Sequence, residues 1–219
     1  MLSVVEENYI KSIYKLLEEG QRPVSTNSLA EKMAIKAATA TDMLKRLSEK
    51  SLIHYKKYQG VTLTEQGTHF ALQIIRKHRL WEMFLVEKLN FTWDEVHEVA
   101  EQLEHVHSEK LIRELDKFLK FPKFDPHGEP IPSSSLEIQY DQRTTLVHFN
   151  KTDTLQVSGV KDDSQAYLNF LDSMGIDLDT KIEILQINEY DNTILISVNG
   201  HSGNLISRKA AQNLVVKKF

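Results

Sequence analysis

The fold is decided by residues 25–64, which read STNSLAEKMAIKAATATDMLKRLSEKSLIHYKKYQGVTLT. Apolar residues recur at helical spacing over 26–33 and again over 39–50, with a short break between the two runs. Two short β-branched and aromatic runs follow on either side of the turn dipeptide Gln59-Gly60. The sequence therefore predicts two helices and then a hairpin, with strands over 52–58 and 61–64.

A further amphipathic helix is predicted over 3–19, so three helices and a hairpin lie within about 65 residues. This order is typical of a winged helix-turn-helix, in which the start of the second helix of the pair enters the major groove of DNA. Threonine can read base edges there, and basic side chains suit phosphates. The alternative is a protein-interaction module of the same fold. The predicted DNA contacts are Thr39, Thr41, Asp42, Lys45, Arg46, Lys56 and Lys57.

The charge distribution supports a DNA-facing module. The whole chain carries a net charge of −4. Residues 21–80 hold 11 Lys and Arg against 4 Asp and Glu, which leaves 16 against 27 in the remainder. A basic block on an acidic chain suits a nucleic-acid-binding unit on a body with another task. An unevenly charged solvated surface is the alternative.

The composition excludes several classes of protein. The chain has no cysteine, so disulfides, zinc–thiolate sites and thiol nucleophiles are ruled out. We see no glycine-rich phosphate loop, no His-Glu-x-x-His motif and no nucleophile elbow, and we expect no enzyme activity. The N-terminus lacks a signal-peptide pattern and no apolar run approaches about 18 residues, so we expect a cytoplasmic protein with no membrane partner.

The rest of the chain divides into helical, proline-rich and β-rich parts. Helices are predicted over 65–89, 92–107 and 108–119. Four of the five prolines then fall within FPKFDPHGEPIPSSS, residues 121–135, which predicts an extended linker. Beyond it we predict a small SH3-like barrel of five strands, with one helix over 164–174. The predicted strands are 145–149, 155–160, 181–187, 193–198 and 214–217.

The fold class is therefore a mainly α N-terminal winged helix-turn-helix with a helical dimerisation domain, followed by a small SH3-like β-barrel. We expect domain boundaries at 1–64 for the DNA-binding domain and 65–121 for the helical metal-binding and dimerisation domain. The proline-rich linker covers 122–140, and the SH3-like, FeoA-like domain covers 141–219.

Two stripes of histidine and carboxylate side chains indicate a metal site. His78 and Glu82 share one helix face, and His97, Glu101, Glu104 and His105 form a stripe on the next helix. Two glutamates on one stripe near buried surface repel each other, and a divalent cation relieves that repulsion. Nitrogen and oxygen ligands without thiolate suit Mn²⁺, Fe²⁺, Co²⁺, Ni²⁺ or Zn²⁺. Solvated ion pairs along a wet helix face are the alternative.

The sequence resembles the diphtheria-toxin-repressor/manganese-repressor family (DtxR/MntR) over its whole length. The resemblance is carried by NYIKSIYKLLEE, the helix-turn-helix, KYQGVTLTEQG, RKHRLWEMFLVEKL, VHEVAEQLEHVHSEKL and DPHGEPIP. It implies a three-domain, metal-activated, homodimeric repressor that binds double-stranded DNA at palindromic operators of metal-uptake genes. No small organic substrate is implied.

The resemblance also implies two metal sites in each subunit. An ancillary site would use His78, Glu82 and His97 with oxygen ligands from the SH3-like domain. A primary site would use Glu101, Glu104, His105 and the first-helix residue Asn8. Some members add linker residues, which here correspond to Asp125 and His127. The SH3-like candidates are Asp162, Asp163 and Gln165.

The chain departs from the family pattern at the first helix. Asn8 stands where the family commonly has Met or Asp, and Lys11 stands where the short manganese repressors have a glutamate that bridges two ions. Glu101 replaces the cysteine of iron-type members. Hard ligands favour Mn²⁺, with Fe²⁺ as the alternative, and Co²⁺, Ni²⁺ or Zn²⁺ as substitutes in vitro.

Two other functions are compatible with these residues. The first is a metal-sequestering or redox helical-bundle protein, because Glu104-His105-Val106-His107 contains the Glu-x-x-His element of di-iron bundles. Such bundles need two copies, and we find one. The second is a regulator of the same fold that responds to a small organic ligand, with the two stripes acting as salt bridges.

Overall fold

The computed structural model describes residues 2–93, 95–139 and 144–218. The chain forms two compact units that alternate along the sequence. Unit 1 contains Met1–His78, Gln102–Ser108 and Pro132–Glu137. Unit 2 contains Arg79–Glu101, Glu109–Ile131 and Ile138–Phe219. Among the described residues, no helix is long and apolar enough to cross a membrane.

Unit 1 contains the predicted winged helix-turn-helix. Ser3 caps the first helix in a capping box with Glu6, and Ser25 caps the second, so both helices begin where side-chain oxygens satisfy free backbone N–H groups. The apolar faces then meet in a buried core around Ile10, Leu29 and Leu44. The elements are α1 (Val4–Glu18), α2 (Thr26–Lys32), α3 (Ala37–Glu49), β1 (Ile53–Lys56) and β2 (Gly60–Leu63).

The wing is a two-stranded antiparallel hairpin. Lys56 pairs with Gly60, which leaves Lys57, Tyr58 and Gln59 as the loop. Val24 forms a bridge to Val61 and so ties the start of the helix pair to the hairpin. Tyr58 is 92% exposed at the tip. The hairpin therefore presents two lysines and an aromatic ring to solvent.

The helical part continues with one long helix and two short ones. Helix α4 (Glu65–Leu89) starts in unit 1 and continues into unit 2. Helix α5 (Val96–Leu103) is shorter than the predicted 92–107, because Thr92 and Glu95 close a turn before it and Val106 bonds back to Leu103 after it. Helix α6 (Glu109–Phe118) packs with the second half of α4 through a cluster of Leu80, Leu115, Leu119 and Ile131.

The C-terminal part of unit 2 is a five-stranded antiparallel sheet, in agreement with the predicted SH3-like class. The strand order is β6-β5-β4-β3-β7. Its buried face packs on the helix that follows the first strand, through Leu168 and Leu171. The elements are β3 (Thr154–Val160), α7 (Gln165–Ser173), β4 (Lys181–Ile187), β5 (Ile194–Val198), β6 (His201–Ile206), α8 (Arg208–Ala211) and β7 (Leu214–Lys218).

One predicted strand in this domain was wrong, and one strand was missed. Residues 145–149 are not a strand, because Thr145 makes a single bridge to Val215 and the chain then turns through a 3₁₀ helix at Leu146–His148. Strand β6 was missed because His-Ser-Gly-Asn shows no alternation, and pairing with β5 rather than propensity holds it. The predicted boundary at residues 140 and 141 lies outside the described residues.

We expect Gly67→Ala to destabilise unit 1 strongly. A Cβ atom at Gly67 would lie 2.0 Å from the backbone oxygen of Leu52. That contact is with rigid backbone, so the substitution should lower the free energy of unfolding by about 1–3 kcal/mol. Gln66→Ala, at the exposed neighbour on the same helix, is the control. Equal urea midpoints for the two variants would contradict the close approach.

Candidate metal centre

Three buried side chains of unit 2 converge on one point. Glu82 of α4 meets Asp125 and His127 of the linker, and one ligand atom of each lies within 4.8 Å of the others. Their exposed fractions are 2%, 4% and 3%. Buried carboxylates and an imidazole at this spacing are a donor set for a divalent cation that accepts oxygen and nitrogen.

The linker is folded so that its two ligand candidates face α4. Asp125 Oδ1 accepts the backbone N–H groups of His127 at 2.9 Å and Glu129 at 2.8 Å, which closes a tight turn. Gly128 has φ +76°, and a Cβ there would lie 2.2 Å from the Ser158 backbone oxygen. Only glycine fits this close approach of linker to sheet.

The His127 ring is held in one orientation. Its Nε2 donates to the backbone carbonyl of Trp93 at 2.7 Å, and its Nδ1 lies 3.8 Å from Glu82 Oε2. A neutral imidazole with its proton on Nε2 presents the Nδ1 lone pair to a metal. In metal-binding histidines, the ring nitrogen that does not bind the metal usually donates its N–H to a carbonyl or carboxylate, as Nε2 does here. The residues therefore fit a divalent ion.

The electrostatics of this group favour a cation. Burial raises the pKa of Asp125 to about 7, with Glu82 and Glu129 adding to the shift and Arg79 opposing it. Burial acts to lower the pKa of His127, but hydrogen bonding to Glu82 and the charge of Asp125 outweigh it and raise the value to about 9. In the metal-free protein, Asp125 and His127 therefore hold protons at pH values below about 7 and about 9 respectively.

Glu82 also faces a second histidine of unit 2. Its Oε1 lies 3.4 Å from His97 Nδ1, and His97 Nε2 lies 3.4 Å from Glu101 Oε1. The side chain of His97 is 35% exposed and that of Glu101 is 52% exposed. His78 precedes Glu82 by one turn on the same face of α4.

A separate cluster of unit 1 surrounds Glu104, which is fully buried. Lys11 Nζ lies 2.9 and 2.6 Å from its two carboxylate oxygens, and His78 Nδ1 lies 2.6 Å from Oε2. Burial alone would raise the pKa of Glu104, but the His78 and Lys11 contacts reverse the direction and lower it. The carboxylate therefore already has a cation supplied by the chain.

Glu7 extends this cluster and was missed by sequence reasoning, which chose Asn8. Glu7 is 5% exposed; its Oε2 lies 2.5 Å from His105 Nδ1, and its Oε1 lies 3.8 Å from His107 Nδ1. Asn8 is half-buried. Helical spacing could have indicated Glu7, because Glu7 and Lys11 lie four residues apart on α1 and so share a face of the helix.

The structure regroups the predicted ligands. Asp125 and His127 join Glu82. Glu101 contacts His97, while Glu104 and His105 lie with Glu7 and Lys11. Within the part of the chain that the structure describes, Asp162 and Asp163 do not belong to the group formed by Glu82, Asp125 and His127. Asp162 accepts the N–H of Ser164 and Gln165 contacts Asn169, so both serve the start of α7.

The predicted DNA contacts lie on α3 and the wing. Thr39, Asp42, Lys45 and Arg46 are exposed, and Asp42 pairs with Lys45 at 3.3 Å. Thr41 is half-buried and its hydroxyl donates to the Ala37 carbonyl at 2.9 Å, which leaves its methyl group and lone pairs for a base. Lys56 and Lys57 are exposed on the wing, with Lys57 Nζ 4.9 Å from the Tyr58 ring centre.

Three domain families match consecutive parts of the chain. Residues 1–61 match "Iron dependent repressor, N-terminal DNA binding domain". Residues 64–133 match "Iron dependent repressor, metal binding and dimerisation domain", and residues 144–218 match the FeoA domain. The matches cover the helix-turn-helix with its wing, the helices with the Glu82 group, and the five-stranded sheet.

Individual relatives agree with these matches. The chain is 37% identical over 126 residues to the iron-dependent repressor IdeR of Mycobacterium bovis, which is 58% of this chain and 54% of that protein, so the match spans about half of the relative. It is 28% identical to the diphtheria toxin repressor of Corynebacterium glutamicum over 91% of this chain and 90% of that protein.

Solved structures are similar over almost the whole length. A manganese-dependent transcriptional repressor in complex with manganese is 34% identical, with a TM-score of 0.83 over 98% of this chain and 100% of that one. The manganese regulator SloR is 31% identical, with a TM-score of 0.74 over 98% of each chain. With a winged helix-turn-helix, a buried carboxylate–imidazole centre and an SH3-like domain, the chain belongs to the diphtheria-toxin-repressor (DtxR/MntR) family of metal-dependent transcriptional repressors, which is not a family of enzymes.

Proposed function

We propose that this chain is a divalent-metal-activated, homodimeric repressor that binds near-palindromic operators of metal-uptake genes, with Mn²⁺ as the favoured ion. The observation that carries the proposal is the buried group of Glu82, Asp125 and His127, which gathers two carboxylates and an imidazole without thiolate. Fe²⁺ is the alternative, since relatives of both kinds are similar to this chain.

The choice of Mn²⁺ follows from the donors. All candidate ligands are carboxylates, imidazoles or amides, because the chain has no cysteine. Carboxylate donors suit Mn²⁺, whereas thiolate would draw softer ions. Co²⁺, Ni²⁺ and Zn²⁺ should substitute in vitro, because imidazole accepts all three.

The residues take two groups of roles. Glu82, Asp125 and His127 of unit 2 form the first metal position, with His97 as a further ligand. Glu104 and His105 of unit 1 remain candidates for a second position, with Glu7 in place of Asn8 as the acidic residue of α1. When bound, the ion supplies positive charge that balances the buried carboxylates, and the linker residues remain fixed against α4.

Metal control would pass from the metal-binding domain to the DNA-binding domain. The proposed domains are 1–64 for DNA binding, 65–121 for metal binding and dimerisation, 122–140 as linker and 141–219 as the FeoA-like domain. A two-fold dimer places two copies of α3 on half-sites one helical turn apart, or a multiple of it. The ion then favours the dimer conformation in which both helices fit the operator.

The first experiment is selection from a DNA library with Mn²⁺, anaerobic Fe²⁺, Zn²⁺ or chelator at one salt concentration. Glu82→Ala should weaken Mn²⁺ binding by about 100-fold, because it removes a buried ligand from the carboxylate pair. Metal-dependent operator binding should be lost with it. Glu87→Ala, at an exposed glutamate of the same helix, is the control.

A Glu82→Ala protein that keeps full metal-dependent operator binding would contradict the proposal. Oxygen-dependent Fe²⁺ turnover without sequence-specific DNA binding would favour the sequestering or redox protein instead. Operator binding that ignores every metal would favour a regulator of organic ligands.

Metal affinity should rise with pH. The metal-free site holds protons, because the pKa values of Asp125 and His127 are raised to about 7 and about 9. A metal must displace these protons, so each displaced proton tightens the apparent affinity by up to about tenfold per pH unit below the corresponding pKa. Mn²⁺ titrations from pH 6 to 9 test this, and a flat profile would contradict it.

The stability of the metal-free protein should change in the opposite direction. Raised pKa values mean that folding takes up protons at this site. The stabilisation is lost for Asp125 as the pH rises from 3.8 to about 7, and for His127 from 6.5 to about 9. Thermal unfolding with and without Mn²⁺ should therefore diverge as the pH is raised. His201→Gln, at an exposed histidine of β6, should keep that divergence, whereas His127→Gln should reduce it.

Arg46→Ala should weaken operator binding without changing base preference. Arg46 is exposed on α3 and suits a phosphate contact. Its loss should reduce the slope of log affinity against log salt by about 1. Lys209→Ala, at an exposed lysine of α8, should leave the slope unchanged. An altered consensus in Arg46→Ala would instead place this side chain on a base.

A further inference from the structure

We propose that Trp93 is a positioning residue of the metal centre, held by Asp172 of α7 so that its backbone carbonyl keeps the Nδ1 atom of His127 turned towards Glu82. Metal affinity then depends on a contact made by the C-terminal sheet domain, although that contact includes no metal ligand. The inference rests on the proposed metal-binding role of the Glu82 group.

One end of this arrangement lies in the sheet domain. Trp93 is 5% exposed, and its ring belongs to the buried core that also contains Leu168 and Leu171 of α7. The indole N–H donates to Asp172 Oδ1 at 2.8 Å. A hydrogen bond to a carboxylate is stronger than one between neutral groups, and it fixes the direction of the ring as well as its depth.

The other end is the backbone carbonyl of the same residue. It accepts the N–H of His127 Nε2 at 2.7 Å, and the His127 side chain is 4% exposed. A neutral imidazole has one N–H, so holding it on Nε2 leaves Nδ1 as the ligand atom. A displaced carbonyl would allow the other tautomer or a rotated ring, and both present the wrong atom to the ion.

The backbone near Trp93 needs an external anchor. It lies between α4 and α5, where Asn90 has φ +58° and the local bonds run from Phe91 N–H to Leu85 and from Glu95 N–H to Thr92. The Trp93 carbonyl is accordingly located by its side chain rather than by a regular helix or strand. The linker is held to the same domain, because the Val160 N–H donates to the His127 carbonyl at 2.8 Å.

The test compares four single variants of the full chain. Trp93→Phe keeps an aromatic ring and removes the N–H. Asp172→Ala removes the acceptor at an exposed position, and Asp172→Asn keeps an acceptor oxygen. Trp81→Phe is the matched control, because among the described residues the Trp81 indole N–H is buried without a hydrogen-bond partner.

We expect Trp93→Phe and Asp172→Ala each to weaken Mn²⁺ binding by about tenfold, the lower end of the range for residues that orient a ligand. The double variant should be no weaker than either single one, because both remove the same bond. Asp172→Asn and Trp81→Phe should stay within about twofold of the unmodified protein. Calorimetric titration measures these affinities.

A second readout separates positioning from stability. At saturating Co²⁺, the visible absorption bands report ligand geometry, and they should shift in Trp93→Phe and Asp172→Ala but not in Trp81→Phe. Unchanged affinity and unchanged bands in Asp172→Ala would overturn the proposal, even if Trp93→Phe fails to fold. Equal weakening in Trp81→Phe would also overturn it. Failure of the proposed function looks different, since the unmodified protein would then bind no Mn²⁺.

Discussion

The structure depends on how buried carboxylates obtain positive charge. Glu82, Glu104 and Asp125 are each no more than 4% exposed. A buried charge without a partner is strongly unfavourable, so each must lie beside a cation or hold a proton. Lys11 and His78 surround Glu104, whereas Arg79 and His127 lie beside Asp125. The need for charge balance therefore brings distant segments of the chain together.

The same constraint explains how a proline-rich segment becomes ordered. Prolines 122, 126, 130 and 132 have no N–H to donate, so the segment cannot form regular ladders. Arginines of α4 bind its carbonyls instead, Arg79 at Pro130 and Arg76 at Pro132. Arg79 also contacts Asp125 at 3.4 Å and Glu129. The linker is thus held by charged groups on a helix that also carries Glu82.

Helical periodicity predicted the winged helix-turn-helix and the long helix α4 because their apolar residues recur over several turns. It also placed His78 and Glu82 on one face. It could not show that Asp125 and His127 meet Glu82, since linker contacts leave no periodic signal. Glu7 was missed because the family position pointed to Asn8, and burial of Glu7 depends on His105, which lies 98 residues away. Strand β6 depends on its neighbour for pairing, so composition alone did not reveal it.

The clusters around Glu104 and Asp125 differ in how firmly the chain itself supplies positive charge. The contact between Lys11 and Glu104 makes this difference. Lys11 is covalently part of the chain and cannot be removed by dialysis or by a chelator. If ions leave the protein, Glu104 keeps its positive partner, and α1 stays joined to the segment 102–108. Asp125 also keeps a cation of the chain, Arg79 at 3.4 Å, but burial and the nearby carboxylates outweigh it and raise the pKa of Asp125 to about 7. If the Glu82 group holds the ion as proposed, loss of metal would therefore affect the linker first, while the attachment of α1 persists as a permanent part of the scaffold.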